Sequence, residues 1–349
     1  MRMIILKAEQ SRAVDVAKFT CAIFVIGIHS KFSSFFDSNI VSTFVDGIFD
    51  LAVPFFFVAS GYFLGRKIKE EPENWESIFR NYFVRFFKMY VLWSLIYIPL
   101  TIYGEVQWRT PFFRACIKLL RNYLFVGINF YSWQLWYLLA SCVAILILWL
   151  CFKMRMSLPL ISVICILVYI MGIVLSLNSN STNLFIKIYM AIFTTPRNGI
   201  FVGFPLITFG LVLNYLHIEK MSQVSIALIC SLASLAYLYF ATFLAGSFIT
   251  SILLSVASVS CFVFLMSIRG NCKEASARNV YFFLRKMSTY IYCLHMYFVA
   301  IFRVFIMGGN ENYNELICFI FVTFWAVITS GLLTYMYDFN ISRKSKVSR

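Results

Sequence analysis

The stretch WQLWYLLASCVAILILWLCF, residues 133–152, contains no charged side chain, no proline and no glycine. A helix rises about 1.5 Å per residue, so such a run crosses a hydrocarbon core of about 30 Å. Trp133, Trp136 and Tyr137 open it and carry amphipathic rings suited to the headgroup level. Working outward, apolar segments of this kind recur near 13–36, 43–64, 82–103, 158–177, 199–216, 222–243, 246–267, 281–306 and 315–337. The segment 108–130 is broken by Arg109, Arg114, Lys118 and Arg121 and reads as a loop or an interfacial helix. The expected fold is all-α: a polytopic transmembrane helix bundle of about ten helices. A single membrane domain is expected over 1–349, with 1–12 and 338–349 as cytoplasmic ends.

Composition supports this. The chain is 61% hydrophobic and only 13% charged, against about 25% charged in a typical soluble domain. Too little polar surface remains to cover a water-soluble globule. The net charge of +15 is no nucleic-acid signature, because the basic residues flank apolar segments and form no continuous stripe. Lys and Arg concentrate in the segments on the side of the N-terminus, which places both termini in the cytoplasm. The ten cysteines lie mostly inside apolar runs without a Cys-x-x-Cys pair, so they read as packing residues rather than a metal or disulfide framework. Residues 1–12 are basic, but the long segment that follows carries Asp15, Lys18 and His29 and has no cleavage site, so no cleavable signal is expected.

Those three residues are the first functional clue. An ionisable group in hydrocarbon costs at least about 2.5–3.5 kcal/mol on insertion scales, so it needs a partner, a wet cavity or a function. Lys18 and His29 lie within about 20° of one helix face and about 16 Å apart along the axis. Asp15 falls near the same face. Imidazole ionises near neutrality, so His29 suits a general base in a wetted cavity; alternatively it bridges helices by hydrogen bonding. In the second span, Ser60 and Gly61 before Tyr62 permit close helix approach. Arg85 and Lys88 share a helix face and suit phosphate binding, or anchor to anionic lipid. Gln134 and Trp136 at one helix start, and Arg197 before another, either line a polar mouth or act as anchors. Tyr292 and a second histidine, His295, stand in the ninth span; His217, in a short loop, reads as bland.

Taken in order, the motifs are Lys18 and His29; Val53-Pro54-Phe55-Phe56-Phe57 running to Ser60-Gly61-Tyr62; Arg85 and Lys88; Leu135-Trp136-Tyr137-Leu138; Arg197-Asn198-Gly199; and Ser288-Thr289-Tyr290-Ile291-Tyr292 with His295. Their order resembles the acyltransferase 3 family of bacterial integral membrane O-acyltransferases, from about residue 11 to 337. The resemblance implies transfer of an acyl group, commonly acetyl, from cytoplasmic acyl-CoA to a hydroxyl of an extracytoplasmic glycan or glycolipid. It implies a multi-pass protein of the bacterial plasma membrane, acetyl-CoA or another acyl-CoA as co-substrate, and no metal. Membrane lipids and a carbohydrate or lipid-linked glycan acceptor are the implied partners, with no nucleic acid; a homodimer is compatible with it. His29 matches the family histidine and Arg85 and Lys88 its basic pair. Lys18 stands where the family usually has arginine, and a lysine lacks the forked contact of a guanidinium.

The expected mechanism has His29 take a proton from the acceptor hydroxyl, with Asp15 orienting Lys18 or His29. Lys18, Arg85 and Lys88 hold the donor phosphates. Ser60, Tyr62, Gln134, Trp136, Arg197, Tyr292 and His295 are candidates for substrate contact or oxyanion stabilisation. The first two spans also resemble the membrane half of vancomycin-resistance serine racemases, which implies transport or flipping of a small molecule, such as an amino acid, as the rival reading.

Overall fold

A chain segment in lipid has no water to satisfy its backbone, so each apolar run closes its own hydrogen bonds as a helix. The computed structural model describes residues 2–216, 218, 221–268, 275–310 and 313–347; His217 lies outside them. It is all-helical among those residues, in the order α1 (Arg2–Ser30), α2 (Asn39–Asp50), α3 (Ala52–Glu70), α4 (Trp75–Gln107), α5 (Phe112–Arg121), α6 (Trp136–Lys153), α7 (Leu158–Leu177), α8 (Leu184–Phe193), α9 (Phe204–Val212), α10 (Gln223–Phe243), α11 (Phe248–Ser267), α12 (Ala275–Ala300) and α13 (Glu315–Val347). Nine segments among the described residues are long and apolar enough to cross a membrane. The protein is a polytopic helical membrane protein.

The expected span at 199–216 takes a different form. A π-helical turn, Gly199–Gly203, runs directly into α9, and the pair ends at Val212. At about 1.5 Å per residue it covers only about 20 Å, less than a hydrocarbon core. Both ends are set by asparagines. The Asn198 carbonyl Oδ1 accepts from the Ile200 and Phe201 amides at 3.0 and 3.2 Å. The Asn214 amide donates to the carbonyls of Leu211 and Tyr62 at 3.1 and 2.9 Å. Most of α9 is buried, so it is an internal helix rather than a lipid-facing one. The segment 108–130 contains α5, an amphipathic helix that exposes Phe112, Phe113, Ile117 and Leu120.

The chain divides into two compact units, residues 1–52 with 263–349 and residues 53–262. In the first, α1 packs along α12, α12 along α13, and α13 also meets α1. Phe32, in the turn after α1, lies 4.6 Å from Phe319 of α13, ring centre to ring centre. In the second unit α6 is central, packing on α4, α9 and the Gly199–Gly203 turn, while α7 packs on α9. The lipid-facing character of α4 shows in the exposed Leu92, Leu95, Ile98 and Ile102, which in water would be a large apolar patch. Cys142, Cys165 and Cys230 are buried free thiols of this unit, in the packing role expected of them.

Close approach of α3 and α9 depends on two glycines. A Cβ built on Gly61 would overlap the Ile207 carbonyl oxygen, and one on Gly210 would overlap the Val58 carbonyl oxygen. Neither backbone can step aside as a flexible side chain would, so small residues are required where the helices cross. Gly61→Ala and Gly210→Ala are each expected to destabilise the protein by about 1–3 kcal/mol. Gly331→Ala, whose new Cβ would meet only Met287 at 3.7 Å, is expected to be neutral. Thermal unfolding in detergent micelles, followed by thiol-reactive dye, measures all three.

Candidate active site

Two groups of polar side chains in the first unit lie along α1, one at its middle and one at its C-terminal end. The first group surrounds Asp15, which is only 4% exposed. Its Oδ1 is buried without a hydrogen-bond partner among the described residues. Lys18, on the same helix, and Arg285, on α12, are the cations whose charges act on it. Arg12, one turn earlier, lies over the Tyr281 ring at 5.6 Å, and Lys286 pairs with Asp338 of α13. A buried carboxylate among cations is the arrangement that lowers the cost of burying it. Asp15 and His29 are about 21 Å apart along the axis. The charges that act on Asp15 are those of Lys18 and Arg285.

The second group forms where α1 ends. His29 lies in the last turn of α1, and Lys31 just beyond turns into the left-handed region at φ 59°. A helix C-terminus leaves carbonyls without intrahelical donors. The His29 carbonyl is satisfied by Arg303, whose Nη2 donates to it at 2.8 Å. Arg303 belongs to a π-helical turn, Ile301–Ile306, that continues α12. Widened turns of this kind are frequent at functional sites. The Arg303 guanidinium also lies 5.2 Å from the Tyr313 ring.

On α12, His295 is 0% exposed, and its ring stacks on that of His29, with centroids 5.2 Å apart and planes inclined by 27°. His295 Nδ1 lies 3.1 Å from the Ile291 carbonyl. A carbonyl only accepts, so Nδ1 carries the proton and donates. The other ring nitrogen, Nε2, is buried and has no hydrogen-bond partner among the described residues. The buried Tyr292 ring lies 6.2 Å from that of His295, edge-on. The structure thus brings His29, Tyr292 and His295 together and adds Arg303, which is not among the motifs picked out in the sequence. The available signal was an arginine within the apolar run Phe302–Ile306.

In the second unit, Ser60 and Tyr137 are joined: Ser60 Oγ lies 3.1 Å from the Tyr137 hydroxyl, which donates onward to the Phe56 carbonyl at 3.4 Å. Tyr62 is half-buried with its ring 5.1 Å from Phe262. Gln134 is buried, and the Trp136 ring lies 5.9 Å from Phe57. Arg85 and Lys88 are exposed on α4. Lys67 lies over the Tyr82 ring at 5.6 Å, and the charges of Arg85 and Arg66 both act on the Tyr82 hydroxyl. Arg85, Arg66 and Lys67 thus converge on Tyr82. Arg197 is exposed, but its two neighbours are structural: Asn198 caps the turn that follows, and a side chain on Gly199 would strike Val143 and the Ala140 carbonyl of α6.

Comparison with known proteins bears on these residues. Residues 11–335 match the family described as Acyltransferase domain. Two curated proteins from Enterococcus faecalis, both named Amino-acid racemase, are similar over parts of the chain. One is 29% identical over 141 residues, 39% of this chain and 18% of that protein. The other is 26% identical over 203 residues, 56% of this chain and 27% of that protein. The chain thus spans less than a third of either relative's length. No solved structure matches.

Arg303→Met is expected to lose the charge-assisted bond to the His29 carbonyl, costing about 1.5–3 kcal/mol. The signature is faster hydrogen exchange in the last turn of α1 and a lower unfolding temperature, with Arg303→Lys recovering part of both.

Proposed function

The chain belongs to the acyltransferase 3 family, matched over residues 11–335, and we propose that it is a membrane O-acyltransferase whose general base is His29. The observation that carries this reading is the stacked His29–His295 pair at the end of α1, with Arg303 on the His29 carbonyl. Proton transfer by a positioned imidazole is the step that O-acylation requires, because a hydroxyl is a weak nucleophile until its proton is taken. In the proposed reaction His29 accepts the proton of the acceptor hydroxyl. The hydroxyl oxygen attacks the thioester carbonyl, the thiolate leaves, and the proton passes from His29 to it. His295, which donates through Nδ1 to Ile291, keeps Nε2 as an acceptor and holds the His29 ring by stacking.

The proposed donor is acyl-CoA, acetyl-CoA in the first instance. Its phosphates are assigned to Arg85 and Lys88 because both are exposed cations on α4, and Arg85 acts on Tyr82 together with Arg66. Lys18 is assigned a different part. It already shares the field of Asp15, which makes it a weaker phosphate ligand, and we assign it to keeping the buried carboxylate ionised. The acceptor proposed is a hydroxyl of an extracytoplasmic glycan or glycolipid. The excess of basic residues on the N-terminal side supports both termini in the cytoplasm of a bacterial cell, with the chain in its plasma membrane.

The test uses purified wild type, His29→Ala, His295→Ala and the Arg85→Ala/Lys88→Ala pair with radiolabelled acetyl-CoA and membrane glycans. His29→Ala is expected to lower transfer by about 10²–10⁴-fold. The Arg85/Lys88 variant is expected to raise KM for acetyl-CoA with kcat largely kept, since it removes binding rather than chemistry. Full transfer by His29→Ala would overturn the mechanism. Absence of both transfer and acetyl-CoA binding in the wild type would favour the transport reading, and amino-acid uptake would then be measured.

A further inference from the structure

Away from the residues assigned to acyl transfer, the second unit holds a cavity of about 620 Å³ where the first turns of α4 meet the last turns of α6. The candidate span containing α4 begins at Pro72, and the one containing α6 ends at Lys153. The cavity therefore opens at one membrane surface. Its polarity is graded. Glu73 and Glu76 lie nearest the start of the span, and Arg80 follows on the same face of α4, about 6 Å deeper. Phe83, about 10 Å deeper than Glu76, and Leu146 of α6 make the inner part apolar. Trp149 forms a wall, itself covered on one side by Lys153 at 4.9 Å.

The three charged residues are exposed and make no ion pair or side-chain hydrogen bond among the described residues. Glu76 and Arg80 stand four apart on a helix, the spacing at which opposite charges ordinarily pair. Two carboxylates, then a guanidinium, then an apolar floor form an ordered set of counter-charges.

We propose that this cavity binds the headgroup of an aminophospholipid. A primary ammonium sits between Glu73 and Glu76, the phosphodiester rests on Arg80, and an acyl chain runs against Phe83 and Leu146. The lipid carries its groups in the same order, with the amine outermost, the phosphate next and the chains innermost. Trp149 adds a ring face for the ammonium. The two carboxylates repel a polyphosphate, so the cavity is distinct from the proposed donor site. The inference does not rest on the acyl-transfer reading.

The test is native mass spectrometry of the full-length protein in detergent. Phosphatidylethanolamine and phosphatidylglycerol with identical chains are supplied in equal amounts. The wild type is expected to retain the ethanolamine lipid about fivefold over the glycerol lipid. Glu73→Gln/Glu76→Gln is expected to abolish the preference, and Arg80→Gln to lower retention of both lipids. Equal retention by the wild type, or a preference that survives the double glutamine variant, would overturn the proposal. Should the double variant elute unlike wild type in size exclusion, Glu73→Gln alone carries the same comparison.

Discussion

One guanidinium, held against the carbonyl of His29, ties together the end of α1, the widened turn after α12 and the stacked imidazoles. A helix that stops inside or near hydrocarbon leaves carbonyls with no donor, and such groups are costly there. Arg303 supplies the donor at 2.8 Å, and its own charge is in turn placed over the Tyr313 ring. The arrangement fixes where α1 ends, and so fixes His29. With His295 stacked on it and Tyr292 edge-on to His295, a position otherwise exposed to fraying becomes a held one. General-base chemistry needs that property, since a catalytic group must be in place before its substrate arrives.

Much of the fold was legible in the residues because the driving term is simple. A run such as 133–152 without one charge has no stable place in water, and the nine segments long enough to span lie where hydropathy puts them. Gly199–Val212 was overestimated because hydropathy measures what is apolar, not what faces lipid; a short buried helix scores like the end of a long exposed one. The candidate site was legible only in its parts. His29 and His295 each stood out as ionisable groups in apolar runs, but their stacking requires that α1 lie along α12, a pairing no local pattern encodes. Arg303 was hidden by its position near a span end, where a basic residue ordinarily needs no explanation. In the motif Arg197-Asn198-Gly199, two of three residues shape the backbone, which a reading of side-chain chemistry alone cannot separate from binding.

The basic residues of 108–121, awkward for a simple charge-asymmetry topology, have local work. Lys118 pairs with Glu105 at 2.6 Å. Arg121 donates to the Ala191 carbonyl at 3.0 Å and to the Asn122 side chain, fastening α5 to α8. Charges engaged in such contacts report on tertiary structure as well as on the membrane side, so they dilute the asymmetry from which orientation is read.

The short buried helix Gly199–Val212 has a consequence for how the chain is made. Too short to cross the hydrocarbon by itself, and capped at both ends by asparagine amides, it gains little by partitioning alone into lipid as it leaves the translocation machinery. Its entry must be cooperative with helices already in place, with α3 presenting the glycine crossing and α6 the surface for Gly199.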